Sequence, residues 1–256
     1  GTTSIAGATV NFNSAAATNL LTVSGGTLSG SNTLTASGAF TWSGGTLSGA
    51  GATTANGGGS ITAVGTVSLN QRTLNTAGGT MTWANGTINV GNGAVWNNSA
   101  TFDITLTGNN SLSHTLGGAN LTFNNTGTVS KSAGGVIAFF GTSMLNSGTV
   151  SVASGNLSLL AGSNSSGALS AGPGATLSFA GGTHTLTGTS SVTGAGTMEF
   201  SGGTADIAGA YNVTGTTSIA GGTANFNAVA STNLQTVSNG TLSGSNTLTA
   251  SGAFTW

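Results

Sequence analysis

Residues 27–42 read TLSGSNTLTASGAFTW, and residues 241–256 repeat the same sixteen letters. The likeness extends upstream without a gap, because residues 1–42 align with residues 215–256 at a constant offset of 214 and differ at only seven of the 42 positions. Self-similarity at a fixed offset is the signature of a repeat architecture. The sequence therefore predicts one long repeat unit over residues 1–214 and the start of the next unit over residues 215–256.

A shorter period runs inside the long one. The tripeptide Gly-Gly-Thr begins at Gly25 and Gly44, a step of 19, and again at Gly181, Gly202 and Gly221, with steps of 21 and 19. A second motif reads NSATF from position 98, NTGTV from 125 and NSGTV from 146, with steps of 27 and 21. A period of about 20 residues is typical of one coil of a β-helix or related solenoid.

Short runs between the glycines alternate apolar and polar residues, as in FTW at 40–42, MTW at 81–83 and MEF at 198–200. A period of two indicates half-buried strands, and the intervening Gly and Asn residues supply the positive φ angles that corners require. No segment shows a capped helical period. We therefore predict an all-β fold, a parallel β-solenoid with about 20 residues per coil and about 12 coils.

Successive coils should hydrogen-bond to each other at a spacing of about 4.8 Å, so the long repeat unit would extend for roughly 50 Å. We expect asparagines at matching positions to form hydrogen-bonded ladders and aromatic side chains, including Trp42 and Trp83, to lie in the core. Trp256 matches Trp42 in mid-repeat. We therefore expect uncapped ends and a solenoid that continues in both directions.

Charged side chains are scarce. The chain has two basic and three acidic residues, 2% of its length, a formal net charge of −1 and no cysteine. An ordinary soluble domain carries about 25% charged residues, so the surface should be neutral and built from Thr, Ser, Asn and Gly. The composition gives no electrostatic footprint for nucleic acid, no apolar run approaches the ~18 residues of a membrane helix, and thiolate chemistry is excluded. We expect neither a nucleic-acid partner nor membrane insertion.

Several segments are similar to the repeats of giant bacterial surface proteins. Residues 24–51 read SGGTLSGSNTLTASGAFTWSGGTLSGAG, residues 91–104 read GNGAVWNNSATFDI, and residues 200–223 read FSGGTADIAGAYNVTGTTSIAGGT. In these features the chain resembles autotransporter passengers and filamentous adhesins. The resemblance implies secretion, a parallel β-solenoid and a role as stalk, filament or adhesin, and this family has no catalytic motif to carry over.

Acids and histidines are the first candidates for chemistry. Asp103, Glu199 and Asp206 occupy polar positions of alternating runs, so we expect isolated charges that point to solvent. Paired-carboxylate catalysis needs two carboxyl groups roughly 5–9.5 Å apart, and three scattered acids argue against such a site. His114 and His184 share the face of neighbouring leucines. No further metal ligand clusters near them, so we expect neutral histidines that line the core or a corner with a hydrogen-bonded partner.

Arg72 and Lys131 fall near corners, where their side chains would either satisfy turn carbonyls or reach solvent. Calcium requires several oxygen ligands, usually carboxylates, and no Asp-rich repeat is present. Phosphate-binding glycine loops and nucleophile elbows are also missing from the sequence. We assign no catalytic, cofactor-binding or metal-binding residue and expect no cofactor.

The leading functional hypothesis is therefore a structural component of an extracellular or cell-surface filament, self-associating or continuing end to end, with possible lateral bundling. An adhesin module that binds surface glycans is the alternative. Ice binding is a third hypothesis, because Thr-x-Thr faces occur at Thr33/Thr35, Thr80/Thr82 and Thr183/Thr185/Thr187, although they do not recur at one constant spacing. Enzymatic activity is not expected.

Overall fold

The chain consists of two compact units, residues 1–129 and 130–256, in a computed structural model that describes residues 1–135 and 137–256. All regular elements of the described residues are β-strands, and every strand pair whose register is defined is parallel. The all-β, parallel β-solenoid predicted from the sequence is confirmed.

The first unit contains fourteen strands and the start of a fifteenth. They are β1 (Thr2–Ile5), β2 (Thr9–Asn11), β3 (Ala16–Thr18), β4 (Leu20–Ser29), β5 (Leu34–Ala36), β6 (Phe40–Leu47), β7 (Ala52–Ala55), β8 (Gly59–Asn70), β9 (Thr73–Thr76), β10 (Thr80–Gly91), β11 (Val95–Asn98), β12 (Thr101–Ile104), β13 (Asn110–His114), β14 (Thr122–Asn125) and β15 (Thr128–Lys131).

The second unit continues from β15 with strands of two to ten residues. They are β16 (Ile137–Gly141), β17 (Met144–Asn146), β18 (Thr149–Val152), β19 (Asn156–Leu159), β20 (Ser163–Ser165), β21 (Ala168–Ala171), β22 (Thr176–Phe179), β23 (Thr183–Leu186), β24 (Ser191–Gly194), β25 (Thr197–Phe200), β26 (Thr204–Ile207), β27 (Ala210–Ile219), β28 (Thr223–Phe226), β29 (Ala230–Val237), β30 (Thr241–Ser243), β31 (Leu248–Ala250) and β32 (Phe254–Thr255).

Each coil supplies three strand segments, and each segment pairs with the segment one coil later. In the first unit β1 pairs with the first part of β4, β2 with the last part of β4, and β3 with β5, always at the same offset (position 2 to 20, 9 to 27, 16 to 34). The repeated residues in the second unit keep this offset, because position 216 pairs with 234, 223 with 241 and 230 with 248. The sequence repeat is thus also a repeat of strand register.

The short periods in the sequence correspond to coil lengths. Thr27 pairs with Thr46, and Thr183 pairs with Thr204, so the pairing offsets equal the first and second steps of the Gly-Gly-Thr tripeptides. Asn98 pairs with Asn125, which reproduces the longer step of the second motif. The chain makes about 13 turns of about 20 residues, in agreement with the predicted solenoid of about 12 coils of that length.

The core of each unit is a stack of side chains in register. In the first unit the inward column runs Val23, Trp42, Ile61, Trp83 and Ile104, all fully buried. In the second unit Leu159, Phe179, Phe200 and Ile219 form such a column, with the rings of Phe179 and Phe200 stacked at 5.1 Å between centroids. Because each layer covers the next, burial is continuous along the coils of a unit.

Corners use the backbone conformations that the sequence predicts. Gly30 has a φ of 107°, and a Cβ atom there would collide with the backbone of Phe12 in the coil below. Asn92 and Asn239 adopt left-handed conformations with φ of 53° and 57°. Gln71 also has a positive φ, 67°, an uncommon conformation for a residue with a long side chain, and it immediately precedes the buried Arg72.

Candidate functional site

Arg72 lies entirely inside the first unit and joins three coils. Its Nε donates to the Thr53 hydroxyl at 2.8 Å. Nη1 donates to the carbonyls of Gly30 and Ser48 at 3.3 and 3.0 Å, and Nη2 to those of Asn32 and Ala52 at 3.2 and 2.6 Å. All five N–H donors of a guanidinium are therefore used, and none of the five acceptors is a carboxylate. Burial lowers the pKa of Arg72 to about 10, so the side chain is a cation at neutral pH.

Lys131, in the second unit, is likewise a buried basic residue that donates to backbone carbonyls. The side chain is fully buried, and Nζ donates to the carbonyls of Ala133 and Gly134, both at 2.9 Å. For both basic residues the sequence left two alternatives open for the charged group, hydrogen bonds to turn carbonyls or exposure to solvent. In the structure both groups donate to backbone carbonyls. Neither cation is available on the surface.

His184 is buried in the core of the second unit, as predicted. Its Nδ1 lies 3.0 Å from the hydroxyl oxygen of Ser163, and its ring meets Phe179 edge-on at 5.0 Å between centroids. Burial lowers the pKa of His184 to about 4, against a smaller opposing effect from the backbone of Gly181. The imidazole is therefore neutral at physiological pH.

His114 lies at a corner with a hydrogen-bonded partner, one of the two predicted settings, but it does not share the buried face of the neighbouring leucines. It pairs with buried Val90 and has the parity of buried Leu112, yet its side chain is exposed. Strand β13 ends at His114, the chain turns, and Nε2 lies 3.0 Å from the carbonyl oxygen of Gly117. Parity predicts orientation only while the strand continues.

The three acids are half-buried on outward positions rather than free in solvent. Glu199 accepts a hydrogen bond from the Ser178 hydroxyl at 2.7 Å, and Asp206 accepts one from the Asn225 side-chain amide at 2.7 Å. Glu199 lies on β25 and Asp206 on β26, which belong to different sheets. Across residues 1–135 and 137–256, no group of three or more His, Cys, Asp or Glu side chains is placed to hold a metal ion.

Asparagine ladders run along the first unit, as expected. An outer ladder joins Asn75, Asn97 and Asn124, with each Nδ2 donating to the preceding Oδ1 at 2.8 Å. A buried ladder lies beside it, in which Thr76 donates to Asn98 at 2.8 Å and Asn98 donates to Asn125 at 2.7 Å. Each amide is held by the neighbouring coil, so these polar groups link the coils in the same direction as the backbone ladder.

Hydroxyl and amide side chains form outward columns on the second unit, with one member per coil. The strand registers place Ser151, Ser170, Thr193, Asn212, Ser231 and Thr249 in one such column. They also place Thr183, Thr204, Thr223 and Thr241 in another, so threonines do recur at constant coil positions here. These two columns are regular arrays of neutral hydrogen-bonding groups.

A groove of about 430 Å³ opens at the first of these columns, across the last three coils. Its outward lining consists of Asn212, Thr214, Ser231, Asn233, Thr249 and Ser251, all exposed and uncharged, above buried Val213 and Thr232. The Ser231 hydroxyl donates to Oδ1 of Asn212 at 3.0 Å, and the Ser251 hydroxyl donates to Oδ1 of Asn233 at 3.4 Å. This groove is the candidate functional site.

The sequence alone did not predict the groove. Its members are common residue types taken from three coils, and nothing local distinguishes them. A usable signal exists, because Asn212, Ser231 and Thr249 follow each other along the chain at intervals of one coil and pair directly across neighbouring strands. The prediction that Trp42 and Trp83 lie in the core is confirmed, Trp96 is also fully buried, and none of the three is available to stack on a ligand.

The chain matches no known protein-family model, no curated protein and no solved structure. The described part of the chain also contains no helix long and apolar enough to cross a membrane. Function must therefore be argued from the coils and their surfaces.

Proposed function

We propose that this chain is a segment of an extracellular or cell-surface filament or stalk made of tandem β-solenoid repeats. One observation carries the proposal. Residues 1–42 and 215–256 form coils of the same register, and their corners use the same bond, since Thr18 and its counterpart Thr232 donate to the carbonyls of Leu20 and Leu234, each at 3.0 Å. A unit that repeats its sequence and its register is suited to follow another copy of itself.

The surface supports a structural role. Because only 2% of the residues are charged, few groups titrate, so the coils should tolerate changes of pH and salt. Weak charge repulsion also allows neighbouring filaments to pack side by side. Both basic side chains, Arg72 and Lys131, are buried on backbone carbonyls, where they act on stability and not on partners.

Immunogold electron microscopy of the source cells tests this proposal. Antibodies raised against residues 1–256 should label thin surface filaments at intervals of about 50 Å or its multiples, the length expected for about ten coils. Pre-immune serum from the same animals serves as the control for non-specific labelling. Label confined to the cell interior, or surface label without filaments, would count against a filament.

An adhesin module that binds glycans is the second candidate, and the groove between Asn212 and Ser251 favours it. The groove offers oriented amide and hydroxyl groups without charge, which suits an uncharged polyhydroxyl ligand more than an ionic one. Binding of surface glycans to the purified chain distinguishes an adhesin from an inert filament. The two roles are compatible in one protein, because a stalk can carry binding surfaces along its length.

A further inference from the structure

We infer that the groove lined by Asn212, Thr214, Ser231, Asn233, Thr249 and Ser251 binds a neutral oligosaccharide through the side-chain amides of Asn212 and Asn233. The inference deepens the adhesin proposal and rests on it for the ligand being presented at a surface. It is independent of filament formation, since all six residues belong to the second unit.

Serine hydroxyls of the next coil contact the side-chain amides of Asn212 and Asn233. Ser231 lies one coil above Asn212 and donates its hydroxyl to Oδ1 at 3.0 Å. The Ser251 hydroxyl lies 3.4 Å from both Oδ1 of Asn233 and the carbonyl oxygen of Thr232, so its one proton is shared between them. An Asn oxygen has two lone pairs and an Asn nitrogen two donors. Ser231 therefore orients the Asn212 amide and Ser251 orients the Asn233 amide more weakly, and both amides keep a second lone pair and the NH₂ group for a ligand.

Sugar hydroxyls are suited to bind these side-chain amides. An amide that offers a donor and an acceptor side by side matches two adjacent sugar hydroxyls, each of which both donates and accepts. Thr249 adds a further hydroxyl from the third coil. Because the groups stand on paired strands, their spacing is set by the coil repeat of about 4.8 Å and changes little on binding.

Other ligand classes fit the lining less well. None of the eight lining residues is charged, so a phosphate, sulfate or carboxylate would find no cation to pair with. An apolar ligand would desolvate the two amides without replacing their hydrogen bonds to water, which costs free energy. The absence of an aromatic among the lining residues predicts weak binding, with a Kd of about 1 mM.

The first unit provides a matched control. Asn19 is the repeat counterpart of Asn233, and Ser37 donates to its Oδ1 at 3.5 Å, so the local geometry is the same. Ala17, however, stands at the counterpart of Ser231 and cannot orient a neighbouring amide. Asn19→Ala and Asn233→Ala therefore remove the same group from equivalent corners, but only the second removes it from the groove.

Two-dimensional NMR of the ¹⁵N-labelled chain tests the inference with four probes, the hexasaccharides of α-glucose, β-glucose, mannose and N-acetylglucosamine. At least one should shift the side-chain amide signals of Asn212 and Asn233 saturably below about 20 mM, and Asn233→Ala should weaken binding at least tenfold while Asn19→Ala leaves it unchanged. Circular dichroism confirms that both variants fold. Heparin, an anionic probe, should cause no such shift.

Three results would overturn the inference. They are the absence of saturable shifts with all four hexasaccharides, unchanged affinity in Asn233→Ala, and stronger binding of heparin than of any neutral probe. None of these results bears on the filament proposal, which is tested by labelling of native material, and a failure of that labelling would leave the binding result intact.

Discussion

Replacing Arg72 by Met is the sharpest test of how the first unit is held together. Methionine keeps much of the aliphatic stem but supplies no donor, so the Thr53 hydroxyl and four carbonyls lose a charge-assisted partner in one step. A hydrogen bond contributes about 1 kcal/mol net, and the five acceptors that lose their donor are neutral, so no unpaired charge remains in the core. We expect a loss of about 4 kcal/mol in the free energy of unfolding of this unit, somewhat below the sum of five such bonds because a carbonyl oxygen has a second lone pair.

Arg72→Lys and Thr53→Val should each give a smaller loss in the free energy of unfolding than Arg72→Met. Lysine has three donors where arginine has five, so it can keep at most three of the bonds and should lose roughly half as much, about 2 kcal/mol. Thr53→Val removes only the acceptor of Nε and should cost about 1–2 kcal/mol.

Tryptophan fluorescence during urea unfolding is a suitable assay, because Trp42, Trp83 and Trp96 are all buried in the first unit. The variants should fall in the order wild type, Thr53→Val, Arg72→Lys, Arg72→Met, from most to least stable. If Arg72→Met unfolded within about 1 kcal/mol of the wild type, the guanidinium would not be the link between coils that its five hydrogen bonds indicate.

Three further predictions concern the second unit. Gln235 is buried where the first repeat has Leu21, and its Oε1 finds no hydrogen-bond partner among the described residues. Gln235→Leu should therefore stabilise the surrounding coils by about 1–2 kcal/mol, measured by native-state hydrogen exchange. Leu21→Gln should destabilise its own coil, and equal exchange rates in wild type and variants would contradict both expectations. The pKa of His184 is lowered by burial from 6.5 to about 4, so the unfolded chain binds the proton first as the pH falls. Stability should therefore be complete above pH 6.5 and fall by roughly 3 kcal/mol as the pH drops to about 4. His184→Leu should flatten this dependence in urea titrations, and an unchanged slope would contradict the prediction. Gly194 has a φ of 126°, and a Cβ atom there would collide with the carbonyl of Ala171 in the coil below. Gly194→Ala should therefore lower the free energy of unfolding by about 2–3 kcal/mol. An unchanged melting temperature would show that the backbone at this corner can relax.

Much of the fold could be predicted from the sequence, because the coil length and the strand alternation of a solenoid both appear as periods in its sequence. The steps of the Gly-Gly-Thr tripeptides proved to be coil lengths, and alternation correctly placed Trp42 and Trp83 inside. The coil count of about 12 also agrees with the observed turns of about 20 residues, although individual pairing offsets vary from 18 residues at Thr2–Leu20 to 27 at Asn98–Asn125. A sequence period therefore predicts the mean coil length better than the length of any one coil.

Individual side chains were harder to predict for a physical reason. Parity placed His184 correctly, but it failed for His114, where the strand ends and the chain turns. The acceptors of Arg72 lie one and two coils earlier in the chain, a separation at which no local pattern can show them. The groove has the same origin, because stacking brings together common residues from three coils.

Electron diffraction from oriented native filaments tests the central claim most directly, that this chain builds its parent structure by stacking parallel coils along the filament axis. We expect a meridional reflection near 4.8 Å, since the strands of successive coils are about 4.8 Å apart along the axis. The reflection should survive high salt and neutral to mildly alkaline pH, because so few surface groups are charged. A reflection at about 4.8 Å on the equator, with strands running along the filament, would contradict the account.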